Sequence, residues 1–283
     1  MNKPRTLIET LNAKPTSDGA GVKIQRIAGF NIKQFSPFLM IDELRSDKNQ
    51  DYVGGFPPHP HRGIETFSYM LKGHFQHKDS LGNSGELRSG GAQWMASGKG
   101  IIHSEMPMME EGQLHGFQIW INQPSQDKKS RARYADFQPE MITELKSPEL
   151  GTARVLAGES TINDIWVESA LEKSGVPVNV IDWRASTNQQ LHTTIEESFN
   201  AMVYVYKGAI EVSGKVITQG QLGFLSQGDS VHLTAAQGSG VFILAGQPIT
   251  EPVVHYGPFV MNSMDEINQA ISDYNQGLFD TYK

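Results

Sequence analysis

The sequence predicts an all-β protein of two tandem, similar halves with one C-terminal helix. Three observations carry that expectation. Hydrophobic residues make up 38% of 283, and 28 glycines and 14 prolines cut the chain into short alternating runs. The second half repeats the strand-and-turn pattern of the first. A helical apolar stripe with a capping signal occurs at the C-terminal end. The length suits one large or two ordinary domains, divided as 1–125, a linker 126–150, and 151–283.

Residues 66–72 are rich in β-branched and aromatic side chains and read as a strand that Lys72-Gly73 turns back into 74–78. The segment 79–85 (DSLGNSG) has loop composition. Residues 93–97 form a further strand, Gly98-Lys99-Gly100 a turn, and 101–106 the strand after it. The segment 122–150 is rich in charge, Ser and Gln and punctuated by Pro124, Pro139 and Pro148, which places the linker there.

Aligning Lys72-Gly73 with Lys207-Gly208 lays residues 68–71 over 203–206, His59 over Thr194 and His61 over Glu196. Aligning Gly91 with Gly220 lays His103 over His232 and Glu105 over Thr234. The copy keeps the strands and loses most donors; His192, Glu196 and His232 read as ordinary polar residues of a barrel kept for its packing, with a weak remnant site as the alternative. At the end of the chain, Ser263-Met264-Asp265-Glu266 is a capping box. Ile267, Ala270, Ile271 and Tyr274 form one helical face and Gly277 can stop the helix. Packing on the C-terminal barrel is expected.

A net charge of −7 gives no global basic field for nucleic acid or anionic membrane. The one basic run, residues 128–133, reads as a solvated linker. With no cysteine, disulfides, thiolate metal sites and cysteine nucleophiles are excluded. The first residues lack an apolar core of signal-peptide length, and apolar runs such as 241–245 are too short to span a bilayer. A cytoplasmic protein is expected. Ser97-Gly98-Lys99-Gly100 lacks the hydroxyl residue and helix of a phosphate loop, and neither a nucleophile elbow nor a dinucleotide fingerprint occurs.

Chemistry concentrates elsewhere. His59 and His61 are one residue apart, and His103 and Glu105 repeat that spacing; six of the nine histidines fall between His59 and His115. In an extended strand, residues i and i+2 point to one face, so each pair presents two donors side by side. A lone histidine reads as a hydrogen-bonded structural residue. Four donors in two same-face pairs read as a metal site, suited to iron, manganese, nickel, cobalt, copper or zinc. Pro60 cannot donate to a ladder and so places the first pair on an edge or rim. Glu65 also follows His61 at a spacing that strand parity admits, so the residues alone leave the carboxylate open between Glu105 and Glu65. His74, His77 and His115 read as surface groups or as partners of ligands.

The stretch Phe56-Pro57-Pro58-His59-Pro60-His61-Arg62-Gly63, then Glu65-Thr66, Gln93-Trp94-Met95, Gly98-Lys99-Gly100-Ile101 and His103-Ser104-Glu105-Met106-Pro107, closely resembles the pirin family of two-barrel cupins. Tyr256-Gly257-Pro258-Phe259-Val260-Met261-Asn262 looks like that family's C-terminal motif, so the resemblance covers nearly the whole chain and implies two tandem cupin (double-stranded β-helix, jelly-roll) barrels with a C-terminal helix. Gly91 departs from it, standing where such proteins often carry an acidic residue; that bears on a turn contact and not on the metal. The resemblance implies one divalent metal, Fe(II) first, held in the N-terminal cupin by His59, His61, His103 and Glu105. Glu105 would also be the catalytic proton acceptor, and Glu65 would orient an imidazole. The implied activity is a quercetinase-type dioxygenase acting on a flavonol-like molecule with O2. The alternative it implies is an iron-binding regulator of a transcription factor or metabolic enzyme. No protein partner is named by the sequence.

Overall fold

The computed structural model describes residues 3–109, 111–171 and 175–280. It is built of antiparallel strands, with one α-helix at Met264–Asn275, and its contacts divide the chain into two units.

The unit bearing the histidine motifs comprises Lys14–Asn31, Phe38–Pro139 and Ile249–Lys283. Its larger sheet has seven strands in the order Arg133–Phe137, Ala92–Ala96, Ile64–Lys72, Leu114–Asn122, Phe38–Ser46, Val22–Ala28, Lys14–Asp18. The donors lie in a four-stranded sheet ordered Phe56–His61, Ile101–Pro107, His74–Asp79, Ser84–Arg88. Phe56–His61 is therefore an edge strand, where the missing amide of Pro60 costs no ladder bond. Along Ile101–Pro107, residues 101, 103 and 105 are buried while 102, 104 and 106 are partly exposed. This is the period of two that puts His103 and Glu105 on one face. Val22, Ile24, Leu44, Tyr52, Met70, Phe75, Leu87 and Leu114 pack together as an apolar core.

The other unit comprises Met1–Ala13, Ile32–Pro37 and Glu140–Pro248. A seven-stranded sheet from Leu7–Asn12 to Thr143–Ser147 and a six-stranded sheet including Gln189–Thr194 and Ser230–Ala235 make up its strands. Leu191, Val203, Val231, Leu233 and Ile243 belong to one apolar cluster there. His232 is exposed between buried Val231 and Leu233, directly across from His192. It therefore faces away from the core, whereas His103 faces inward.

The contacts differ from the sequence-based division in three places. Leu7–Asn12 pairs with Gln221–Leu225, and so belongs with the later residues. The expected linker contains Arg133–Phe137, paired with Ala92–Ala96, and Thr143–Ser147, paired with Gly151–Ala157. Both are terminal strands of their sheets, half solvated and hence polar, which gave them loop composition. Within the same segment Lys128 is 1% exposed. Its Nζ donates to Gly63 O and Asn122 Oδ1 at 2.7 Å and to Val260 O at 2.9 Å, so it is no solvated group.

The C-terminal helix also packs on different residues than expected. Ile267 and Ala270 are buried with Phe259, Met261 and Phe279, and partly buried Ile102 joins them from the His103 strand. Ser263 caps the helix by accepting from the Glu266 amide, but Glu266 Oε2 accepts from the Asn262 amide at 3.0 Å, one residue earlier than the box predicts. No helix among the described residues is long and apolar enough to cross a membrane.

Candidate metal centre

His103 and His59 are direct partners across the antiparallel pair of Ile101–Pro107 with Phe56–His61. Their ring centroids are 4.4 Å apart, and His61 stands 4.9 Å from His59 and 5.0 Å from His103. Donor nitrogens of these three residues all lie within 4.8 Å of one another. His61 and His103 are each 2% exposed, while His59 is half-buried and forms the solvent side of the cluster.

The outer ring nitrogens fix how the inner ones point. His59 Nδ1 lies 2.9 Å from Pro57 O, and His61 Nδ1 3.3 Å from Pro258 O. A carbonyl only accepts, so each Nδ1 carries a proton, and in the neutral ring Nε2 keeps a lone pair. Those two Nε2 atoms are 3.1 Å apart. Two lone pairs at that distance repel, whereas two nitrogens bound at about 2.1 Å and a right angle to one ion lie about 3 Å apart. His103 Nε2 is buried without a hydrogen-bond partner. Burial, reinforced by the neighbouring imidazoles, pushes both His61 and His103 well below 6.5, keeping them neutral donors. This set fits a divalent transition metal better than it fits an empty core.

The local backbone serves the same end. Gly63, just beyond the HxH motif, has φ +80°, and a Cβ there would run into the Val260 carbonyl. That close approach lets Val260 N–H donate to Arg62 O at 3.1 Å and brings Pro258 to His61. The C-terminal tail thus supplies a contact to a candidate ligand.

Both candidate carboxylates are buried, at 6% for Glu105 and 0% for Glu65. Glu105 lies outside the 4.8 Å group; Oε1 accepts from Ser68 Oγ at 3.1 Å and Oε2 from Gln118 Nε2 at 2.7 Å. Glu65 Oε2 accepts the Trp94 indole N–H at 2.7 Å. Trp120 stands edge-on to His61 at 5.1 Å, and its indole N–H donates to Gln118 Oε1 at 3.4 Å.

Among the other histidines, His115 is buried against Glu43, and His74 approaches exposed Glu86. His77, 3% exposed, touches His103 and Asp79. Sequence reasoning passed over Asp79, Ser68 and Gln118. For Asp79 a signal existed, because His77 and Asp79 repeat the one-residue spacing of the HxH motif.

Residues 21–121 match the family model described as Pirin, and residues 180–280 match the Pirin C-terminal cupin domain. A Caulobacter vibrioides relative named "Pirin-like protein" is 37% identical over 97% of this chain and 99% of its own. The chain belongs to the pirin family. Among its pirin relatives, a Vibrio cholerae protein named "Putative quercetin 2,3-dioxygenase" is 59% identical over the whole of both chains. The crystal structure of quercetin 2,3-dioxygenase from Acinetobacter baumannii superposes with a TM-score of 0.89, at 29% identity, covering 98% of each chain.

Proposed function

We propose that this pirin is an Fe(II)-dependent dioxygenase that opens flavonols such as quercetin, with His59, His61, His103 and Glu105 holding the metal. The observation that carries this reading is the buried, unpartnered Nε2 of His103 beside the facing lone pairs of His59 and His61. The names of the relatives supply the substrate class; the donor set alone would not.

A divalent metal held by these nitrogens supplies Lewis acidity and redox chemistry toward O2. The chain supplies the rest. Glu105 shares the buried face of His103 and acts as the base for the substrate 3-hydroxyl proton. Ser68 and Gln118 each occupy one lone pair of a different Glu105 oxygen, leaving lone pairs for metal or proton. Trp120 fixes Gln118 and presents an apolar edge to His61.

Iron-loaded protein should bleach quercetin, consuming one O2 and releasing one carbon monoxide per flavonol. A flavone without the 3-hydroxyl should be inert, and His103→Ala should abolish turnover. A fully occupied site that turns over nothing as its Fe, Mn, Ni, Co and Cu forms would replace this reading with a regulatory one.

A further inference from the structure

We propose that His77 and Asp79 are positioning residues that fix the proton of His103 on Nδ1 and leave its Nε2 as a free donor. The use of that lone pair rests on the metal reading above; the place of the proton does not.

The chain of contacts starts at Asp79, whose side chain is 0% exposed. Its Oδ1 accepts the backbone N–H of Leu81 and of Asn83, both at 3.0 Å. Its Oδ2 accepts from Asn83 Nδ2 at 2.8 Å and faces His77 Nε2 at 3.1 Å. Burial pushes this carboxyl up, but the His77 and Asn83 donors outweigh it and hold it below its usual range. An ionised carboxylate only accepts, so His77 carries a proton on Nε2. With one proton on the ring, His77 offers Nδ1 as a lone pair, 3.4 Å from His103 Nδ1. Two lone pairs would repel at that distance. Attraction requires the His103 proton on Nδ1, which leaves Nε2 bare, buried and without a partner.

The relay is held in place from its sides. His77 stacks on Tyr134 at 4.3 Å and 18°, and Tyr134 is fixed by donating to Asp136 Oδ1 at 2.7 Å. Ser80 N–H donates to Ile102 O at 2.8 Å, and Ile102 N–H donates to Ser80 Oγ at 3.2 Å. The Asp79 loop is thus tied to the strand that carries His103. His59 and His61 are oriented by backbone carbonyls, which no substitution removes directly. His103 is oriented through side chains, and an imidazole backed by a carboxylate makes its partner a stronger donor.

Asp79→Asn is the decisive variant, because it keeps the shape and reverses the polarity. Two backbone amides still require an oxygen at the Oδ1 position, so the new NH2 falls where Oδ2 stood and donates to His77 Nε2, while the Asn83 side-chain amide turns to present its oxygen. His77 then carries its proton on Nδ1 and drives the His103 proton to Nε2. His77→Phe keeps the stack on Tyr134 and removes the relay altogether. Two-bond 15N–1H correlation spectra of the full-length, metal-free protein at mildly alkaline pH read the tautomers directly.

The expected result is Nδ1–H for His103 in the parent protein and Nε2–H in Asp79→Asn. Co(II) affinity should fall about 10- to 100-fold in both variants, with unchanged circular dichroism. A parent His103 protonated on Nε2, or one whose proton neither substitution moves, would overturn the proposal. The expected tautomers in a parent protein that binds no Co(II) would uphold the relay and remove the metal reading instead.

Discussion

Arg62 and Asp273 form an ion pair at 2.7 Å between the residue that follows the HxH motif and the C-terminal helix, with side chains 8% and 18% exposed. The Arg62 guanidinium also lies over Phe279, 4.4 Å from the ring centroid. The last helix is therefore bound to the strand that presents His59 and His61.

Asp273→Asn should cost about 3 kcal/mol, the low end for breaking a buried pair, because it leaves the guanidinium without its counter-charge while Asp273 keeps some solvent contact. The exposed pair Lys3–Glu197, 62% and 65% exposed, is the internal comparison. Glu197→Gln should cost less than about 0.5 kcal/mol. Urea midpoints of the two variants give the ranking, and equal midpoints would remove the structural role assigned to the Arg62 pair.

The two carboxylates are separable by metal retention. Glu105→Gln should weaken it about tenfold or more, since a neutral amide is a poorer donor to a divalent ion. Glu65→Gln should act more mildly, because the contact it disturbs is the Trp94 indole. Competition titration with a chelator decides, and the reverse ranking would make Glu65 the ligand.

Elemental analysis should find one tightly held metal per chain, lost when His59 and His61 are replaced. A second equivalent that survives that replacement would point to the other unit, where His192 and His232 face each other with centroids 4.4 Å apart.

The stability of the metal-free protein should fall with acid. In the unfolded chain both His61 and His103 titrate near 6.5, whereas burial and neighbouring imidazoles hold them well below it in the fold. Below 6.5 the unfolded state binds protons that the folded state refuses, so stability declines as pH falls and is insensitive to these groups above that point. The slope is at most about 1.4 kcal/mol per pH unit for each histidine. Denaturant midpoints of chelator-treated protein, from about pH 8 to about pH 5.5, test it. A flat profile would mean that the two imidazoles are more solvated than their burial implies.

The donor pairs and their strands were legible because their signal is local. His59 with His61, and His103 with Glu105, need only the two-residue period of a strand, and the Ser263 cap needs only three neighbours. What orients the candidate donors was not legible. Pro57 and Pro258 act through backbone carbonyls, which carry no side-chain signature, and Pro258 comes from the far end of the chain. Placement of the helix failed for a related reason: the apolar face of Ile267 and Ala270 shows that something is covered, not that Ile102 is among its neighbours. The segment around Arg133–Phe137 hid a strand because an edge is permitted to be polar.

The route of the chain has a consequence for how the protein is made. Leu7–Asn12 is synthesised long before its strand partner Gln221–Leu225. Pro258, which holds His61 Nδ1, emerges later still. A nascent chain that already contains His59, His61 and His103 still lacks the carbonyl that sets one of them, so the cluster is not fully oriented until residue 258 has been made. A chain cut short before Pro258 would then disturb the same cluster as a substitution within the HxH motif.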